Sequence, residues 1–92
     1  MASSFSQTVT IVNQLGLHAR AATKLAQLCK QFDADIELQQ EGKTADASSV
    51  LALLMLASSK GKDVTVVTSG QQAESALAAV IDLIASGFEE NE

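Results

Sequence analysis

The chain has 92 residues, 47% of them hydrophobic, a formal net charge of -5, one cysteine and no proline. This is the size of a single small domain spanning residues 1–92, with enough apolar side chains for one core without disulfide or metal staples. The negative charge repels phosphate backbones, and three phenylalanines with no tryptophan or tyrosine offer few stacking surfaces, so nucleic acid is excluded as a partner.

The start, Met1-Ala2-Ser3-Ser4-Phe5-Ser6, lacks the basic then apolar pattern of a secretion signal. No stretch approaches the roughly 20 apolar residues that span a bilayer. Neither secretion nor membrane insertion is expected. Gln7 to Val12 alternates polar and apolar residues with β-branching, which reads as an extended run with Val9 and Ile11 facing the core. Asn13-Gln14-Leu15-Gly16 breaks that pattern with turn residues. From Ala19 to Lys30 the residues Ala22, Leu25, Ala26 and Cys29 recur at helical spacing, with Lys24, Gln27 and Lys30 off the stripe. Cys29 on this stripe reads as a small buried hydrophobe. It has no second cysteine to pair with, and the lone histidine cannot complete a ligand set, so no metal or cofactor is expected. The same cysteine usage points to a reducing, cytoplasmic compartment.

Alternation returns over Asp35 to Gln40. Glu41-Gly42-Lys43 then makes a tight connection into Thr44-Ala45-Asp46, which predicts a hairpin. Between Ser48 and Lys60 lies a short capped helix that is apolar nearly all round. One core-facing stripe can use Val50, Leu53 and Leu56. Leu51, Leu54 and Met55 are left as candidates for a docking surface. Asp63 to Thr68 is a β-branched strand. Ala73, Ala76, Leu77, Val80, Ile81 and Ile84 mark the core face of a last helix that Gly87 ends. The acidic tail Glu89-Glu90-Asn91-Glu92 is expected to be frayed. The order strand, helix, strand, strand, helix, strand, helix predicts an α+β fold. Its simplest form is an open-faced two-layer sandwich, with a mostly antiparallel four-stranded sheet and three helices on one face.

The one histidine, His18, sits in Gly16-Leu17-His18-Ala19-Arg20, at a turn-to-helix junction. A helix N-terminus leaves backbone N–H groups without intrahelical partners and carries the positive end of the helix dipole, so a phosphate attached to His18 would meet ready donors. Arg20 can add a planar guanidinium fork, and a neutral imidazole is a competent nucleophile.

These residues resemble the HPr family, the histidine-containing phosphocarriers of the bacterial phosphoenolpyruvate-dependent phosphotransferase system. Gly16-Leu17-His18-Ala19-Arg20 matches the family's active-site segment, and Ser49-Val50 with the apolar helix behind it matches a second signature. The run Ser49 to Leu56 and the ending Ala76 to Ile81 through Ser86-Gly87-Phe88-Glu89 resemble the nitrogen-related branch in particular. The resemblance implies that Enzyme I, charged from phosphoenolpyruvate, passes a phosphoryl group to Nδ1 of His18, and that His18 passes it to a IIA-type acceptor. Arg20 would stabilise the phosphate, and the protein would be a monomeric cytoplasmic carrier, not a stand-alone enzyme. Docking would use Leu51, Leu54 and Met55, with Thr23, Lys24 and Gln27 on the rim. In some members a serine at the place of Ser49 is phosphorylated by a regulatory kinase; Ser49 also reads as a plain helix cap. The family's usual proline after the arginine is Ala21 here, which adds one N–H donor and unfolded-state entropy. Three other readings stay open: a regulatory docking module gated by phosphorylation, a carrier of the sugar-uptake branch, and an unrelated small domain binding a metabolite or protein.

Overall fold

The computed structural model describes residues 4–89, so Met1 to Ser3 and the Glu90-Asn91-Glu92 part of the expected tail lie outside the described residues. The elements are β1 (Ser4–Thr10), α1 (Ala19–Cys29), β2 (Asp35–Gln40), β3 (Lys43–Asp46), α2 (Val50–Leu56), β4 (Asp63–Ser69) and α3 (Ala73–Ala85), in the predicted order. The strands form one sheet in the order β1-β4-β2-β3, with each neighbouring pair antiparallel. No described helix is long and apolar enough to cross a membrane.

Alternation decides which face of the sheet is covered. In β4, Val64, Val66 and Thr68 are buried, and β2 turns Ile36, Leu38 and Gln40 the same way. The register sets Leu38 opposite Val66 and Ile36 opposite Thr68, so the large inward side chains lie side by side. The other face is polar: the hydroxyls of Thr8 and Thr65 share a hydrogen bond of 2.9 Å, and Thr10 Oγ1 donates to Asp63 at 2.6 Å. Over the apolar face, α3 packs across β1 and β4, α2 packs on β3, and α1 packs against both helices. The predicted stripe of α1 is buried as expected, at Ala22, Leu25, Ala26 and Cys29. Burial, with a smaller contribution from the Asp46 charge, pushes the Cys29 thiol up to about 12, which keeps it a neutral core group.

Several boundaries differ from the sequence expectation. The first strand begins at Ser4 and stops at Thr10, because its partner β4 begins at Asp63, opposite Thr10. Ile11 continues past it in a loop, fully buried, with its N–H donating to Lys62 O at 2.9 Å and its carbonyl accepting from Gly61 N at 2.8 Å. Val9 is only half-buried, as suits a strand at the sheet edge. In the hairpin, Glu41 and Gly42 both take positive φ, 49° and 82°, the two-residue turn whose twist matches the strands, so Lys43 already belongs to β3. The second helix ends at Leu56 because Ala57 turns left-handed, with φ 56° and ψ 40°.

The largest departure is Phe88, which lies beyond the periodic core face of the last helix and is fully buried. After α3, Gly87 at φ 73° donates its N–H to Ile84 O at 3.0 Å, and Phe88 donates to Leu83 O at 2.9 Å. This double bond pattern of a glycine-terminated helix folds the next residue back onto the core. Phe88 itself has φ 59°, at a cost of about 1–2 kcal/mol for an L-residue. Burying its ring outweighs that, since deleting a core phenyl costs about 3–5 kcal/mol. Phe88→Ala is therefore expected to lower the unfolding free energy by about 3 kcal/mol, measured by urea denaturation. A loss under about 1 kcal/mol would mean that the ring contributes little to the core.

Candidate functional site

The segment before α1 is fixed from several sides before His18 is reached. Gly16 donates its N–H to Asn13 O at 3.1 Å, and Asn13 Nδ2 donates to Gly16 O at 2.8 Å, closing a tight turn whose asparagine is buried. Gly16 has φ 63°, and a Cβ there would stand 2.6 Å from Ser58 O and 2.8 Å from Ser59 Cα. No L-side chain fits. Leu17 then donates its N–H to Ser58 O at 2.9 Å and buries its side chain.

His18 follows in extended conformation, φ -85° and ψ -179°, and is the N-cap of α1. Its carbonyl accepts from Ala22 N at 2.8 Å, and its Nδ1 accepts from Arg20 N at 3.3 Å. Serine, threonine, asparagine or aspartate usually fills this role; here the imidazole does. Accepting requires a lone pair on Nδ1, so the bond assigns the ring hydrogen of the neutral form to Nε2. The lone pair therefore points at the helix's own unpaired amides, and the bond holding it is long enough to be given up readily. His18 is half-buried, Arg20 is exposed, and no acidic residue lies in the first turn of α1. Arg20 is the chain's single arginine. Ala21 is in the first turn and fully buried.

The remaining predicted residues divide between two helices. Thr23 is exposed on α1, its hydroxyl donating to Ala19 O at 2.8 Å. Lys24 and Gln27 line a groove between α1 and α3, where Lys24 Nζ donates to Phe88 O at 2.9 Å. On α2, Leu53 and Leu56 are buried, whereas Leu51, Leu54 and Met55 are 68%, 38% and 71% exposed. Ser49 is the N-cap of α2 and accepts from Ala52 N at 3.2 Å. Ahead of it, Asp46 Oδ1 accepts from Ser48 N at 2.9 Å and Ser48 Oγ at 2.7 Å, which holds the Asp46 carboxyl below its usual range. The sequence reading missed Asn13 and Ser58 as determinants of the loop. It also passed over Leu15, which is 67% exposed two residues ahead of Leu17. The available signal was an asparagine placed three positions before a glycine.

The family described as "PTS HPr component phosphorylation site" matches residues 5–86, and the chain belongs to this HPr family of phosphocarriers. It is 55% identical over 86 residues to "Phosphocarrier protein NPr" of Escherichia coli (strain K12), covering 92% of this chain and 96% of that one. Identity to "Phosphocarrier protein HPr" of Cupriavidus necator is 42% over 83 residues, covering 90% and 93%. Among solved structures, HPr-C-His from Thermoanaerobacter tengcongensis superposes with a TM-score of 0.90 at 33% identity, covering 96% of this chain and 99% of that one. The chain is thus an NPr-like phosphocarrier of the phosphotransferase system.

Gly16→Ala is expected to cost about 2 kcal/mol of stability, because it adds left-handed strain to a clash with backbone atoms that cannot swing away. It should also shift the Leu17 and Arg20 amide resonances. Unchanged amide resonances with unchanged stability would show that the approach of Gly16 to Ser58 is not obligatory.

Proposed function

We propose that His18 is the phosphoryl-carrying residue, taking the group on Nδ1 from Enzyme I and passing it to a IIA-type acceptor in the nitrogen-related branch. The observation that carries this reading is the Nδ1 lone pair held against the Arg20 amide at the start of α1. In the transfer, Nδ1 releases that amide and attacks phosphorus. A new N–P bond forms as the donor's bond to phosphorus breaks, and the bonding pair stays with the donor. The hydrogen on Nε2 remains in place, so no proton has to leave the ring. The released amide, its first-turn neighbours and the Arg20 guanidinium then face the phosphoryl oxygens. The second transfer reverses these steps toward the acceptor.

A relay needs moderate stabilisation, because a phosphate held too firmly does not leave. One exposed arginine and a few amides suit that requirement better than a deep cationic pocket. The long bond from Arg20 suits it too. For partner choice, the exposed apolar residues Leu51, Leu54 and Met55 supply a dry docking surface, with Thr23, Lys24 and Gln27 on the rim. Ser49, at the edge of that surface, offers a hydroxyl to a regulatory kinase, and a phosphate there would add close to two negative charges. The carrier acts as a cytoplasmic monomer.

Incubation with phosphoenolpyruvate and Enzyme I tests the reading by intact-mass measurement. His18→Ala is expected to gain no phosphoryl mass while its unfolding free energy stays within about 1 kcal/mol of wild type, since a half-buried cap packs little core. Phosphoryl uptake by that variant would overturn the assignment. Leu51→Glu is expected to fold normally and to lose about 1–3 kcal/mol of affinity for Enzyme I in calorimetric titration. Equal affinities would remove Leu51 from the docking surface.

A further inference from the structure

The buried amide side chain just ahead of the site has no part in the transfer described above, yet the geometry of the loop runs through it. Asn13 is 2% exposed, and its side-chain Nδ2 donates to Gly16 O at 2.8 Å while its main-chain carbonyl accepts the Gly16 N–H at 3.1 Å. These two bonds tie the N–H and the carbonyl of Gly16 to one residue, the first through its main chain and the second through its side chain. Gly16 is thereby held left-handed against Ser58, Leu17 is held with its N–H on Ser58 O, and the next residue is His18. Asn13 also lies under the turn that ends α3, where a Cβ on Gly87 would come 3.5 Å from Asn13 Cβ. The residue therefore sits between the α3 terminus and the histidine loop.

We propose that Asn13 is a positioning residue for phosphoryl transfer. Its carboxamide fixes the Gly16-Leu17 backbone so that the His18 imidazole caps α1 with Nδ1 facing the Arg20 amide. The inference rests on the carrier reading of His18. Misplacing a reacting atom by a fraction of an ångström to an ångström lowers a transfer rate without removing any group that touches phosphate. A donor is required at this place. Asn13→Asp keeps the shape but sets a carboxyl oxygen against the Gly16 carbonyl, and Asn13→Ala removes the contact.

The test measures transfer from Enzyme I to both variants and to Ile36→Ala. Ile36 is a core residue opposite Thr68 in β4, whereas the histidine loop is joined to the chain beside the other end of that strand, at Gly61 and Lys62. All are assayed at a temperature where circular dichroism shows them folded. The expected result is a maximal rate lowered by roughly tenfold or more in both Asn13 variants. The concentration giving half-maximal rate should change less than about twofold, and the Arg20 amide resonance should shift. Ile36→Ala should keep the wild-type rate and the wild-type Arg20 resonance. The proposal is overturned if the Asn13 variants keep the wild-type maximal rate, if only the half-maximal concentration rises, or if Ile36→Ala slows transfer by the same factor. If wild-type protein takes no phosphoryl group at all, the carrier reading itself falls, and any role of Asn13 in transfer falls with it.

Discussion

Gly16 approaches the backbone of Ser58 and Ser59 so closely that a β-carbon would have to sit 2.6 Å from a carbonyl oxygen, and the rest of the site depends on that approach. It needs a left-handed residue with no side chain, which limits the position to glycine. It also brings the Leu17 N–H onto Ser58 O, so the residue before His18 is bonded to the segment leaving α2. The start of α1 and the end of α2 are therefore one unit. One presents the imidazole, and the other presents the exposed leucines and methionine. A partner docking on α2, as proposed, would meet His18 in a fixed relation to it.

The parts of this arrangement that were legible in the sequence are those governed by local periodicity. The buried stripe of α1, the alternation in β2 and β4, and the presence of a hairpin after β2 follow from spacing and turn chemistry alone, though not that its turn has only two residues. So does the division of α2: a helix of seven residues with six large apolar side chains cannot hide them all. Leu53 and Leu56 go inward, while Leu51 and Met55 stay out. The features that escaped depend on distant partners. Where β1 ends is decided by where β4 begins. Phe88 is drawn inward by a helix terminus whose hydrogen bonds reach back to Leu83 and Ile84. Asn13 looks like any turn residue until its amide is seen buried against Gly16. At His18, spacing predicted a histidine at a helix start, but the use of Nδ1 as the cap acceptor became visible only with the backbone in place.

The family relation sharpens where specificity must lie. A TM-score of 0.90 at 33% identity means that the scaffold is preserved while most side chains change. The proposed site chemistry is small: one imidazole, a few amides and one guanidinium. On the proposed reading, partner choice falls to exposed surface, and α2 carries most of the large exposed apolar residues among the described positions. Lys24, by contrast, is engaged with the carbonyl of Phe88 in the α1–α3 groove, so part of its role is to hold the end of α3 against α1. The net charge of -5 makes the apolar patch and the local cations near α1 stand out against an acidic background.

The central claim is that Nδ1, the ring nitrogen facing the α1 amides, is the atom that carries phosphate. Long-range proton–nitrogen correlation of the His18 imidazole, recorded before and after charging by phosphoenolpyruvate and Enzyme I, addresses it directly. The account predicts phosphorus coupling at Nδ1, a hydrogen retained on Nε2, and a marked shift of the Arg20 amide as its acceptor changes from ring nitrogen to phosphoryl oxygen. Phosphorus on Nε2, or a charged protein whose His18 ring is unmodified, would contradict it.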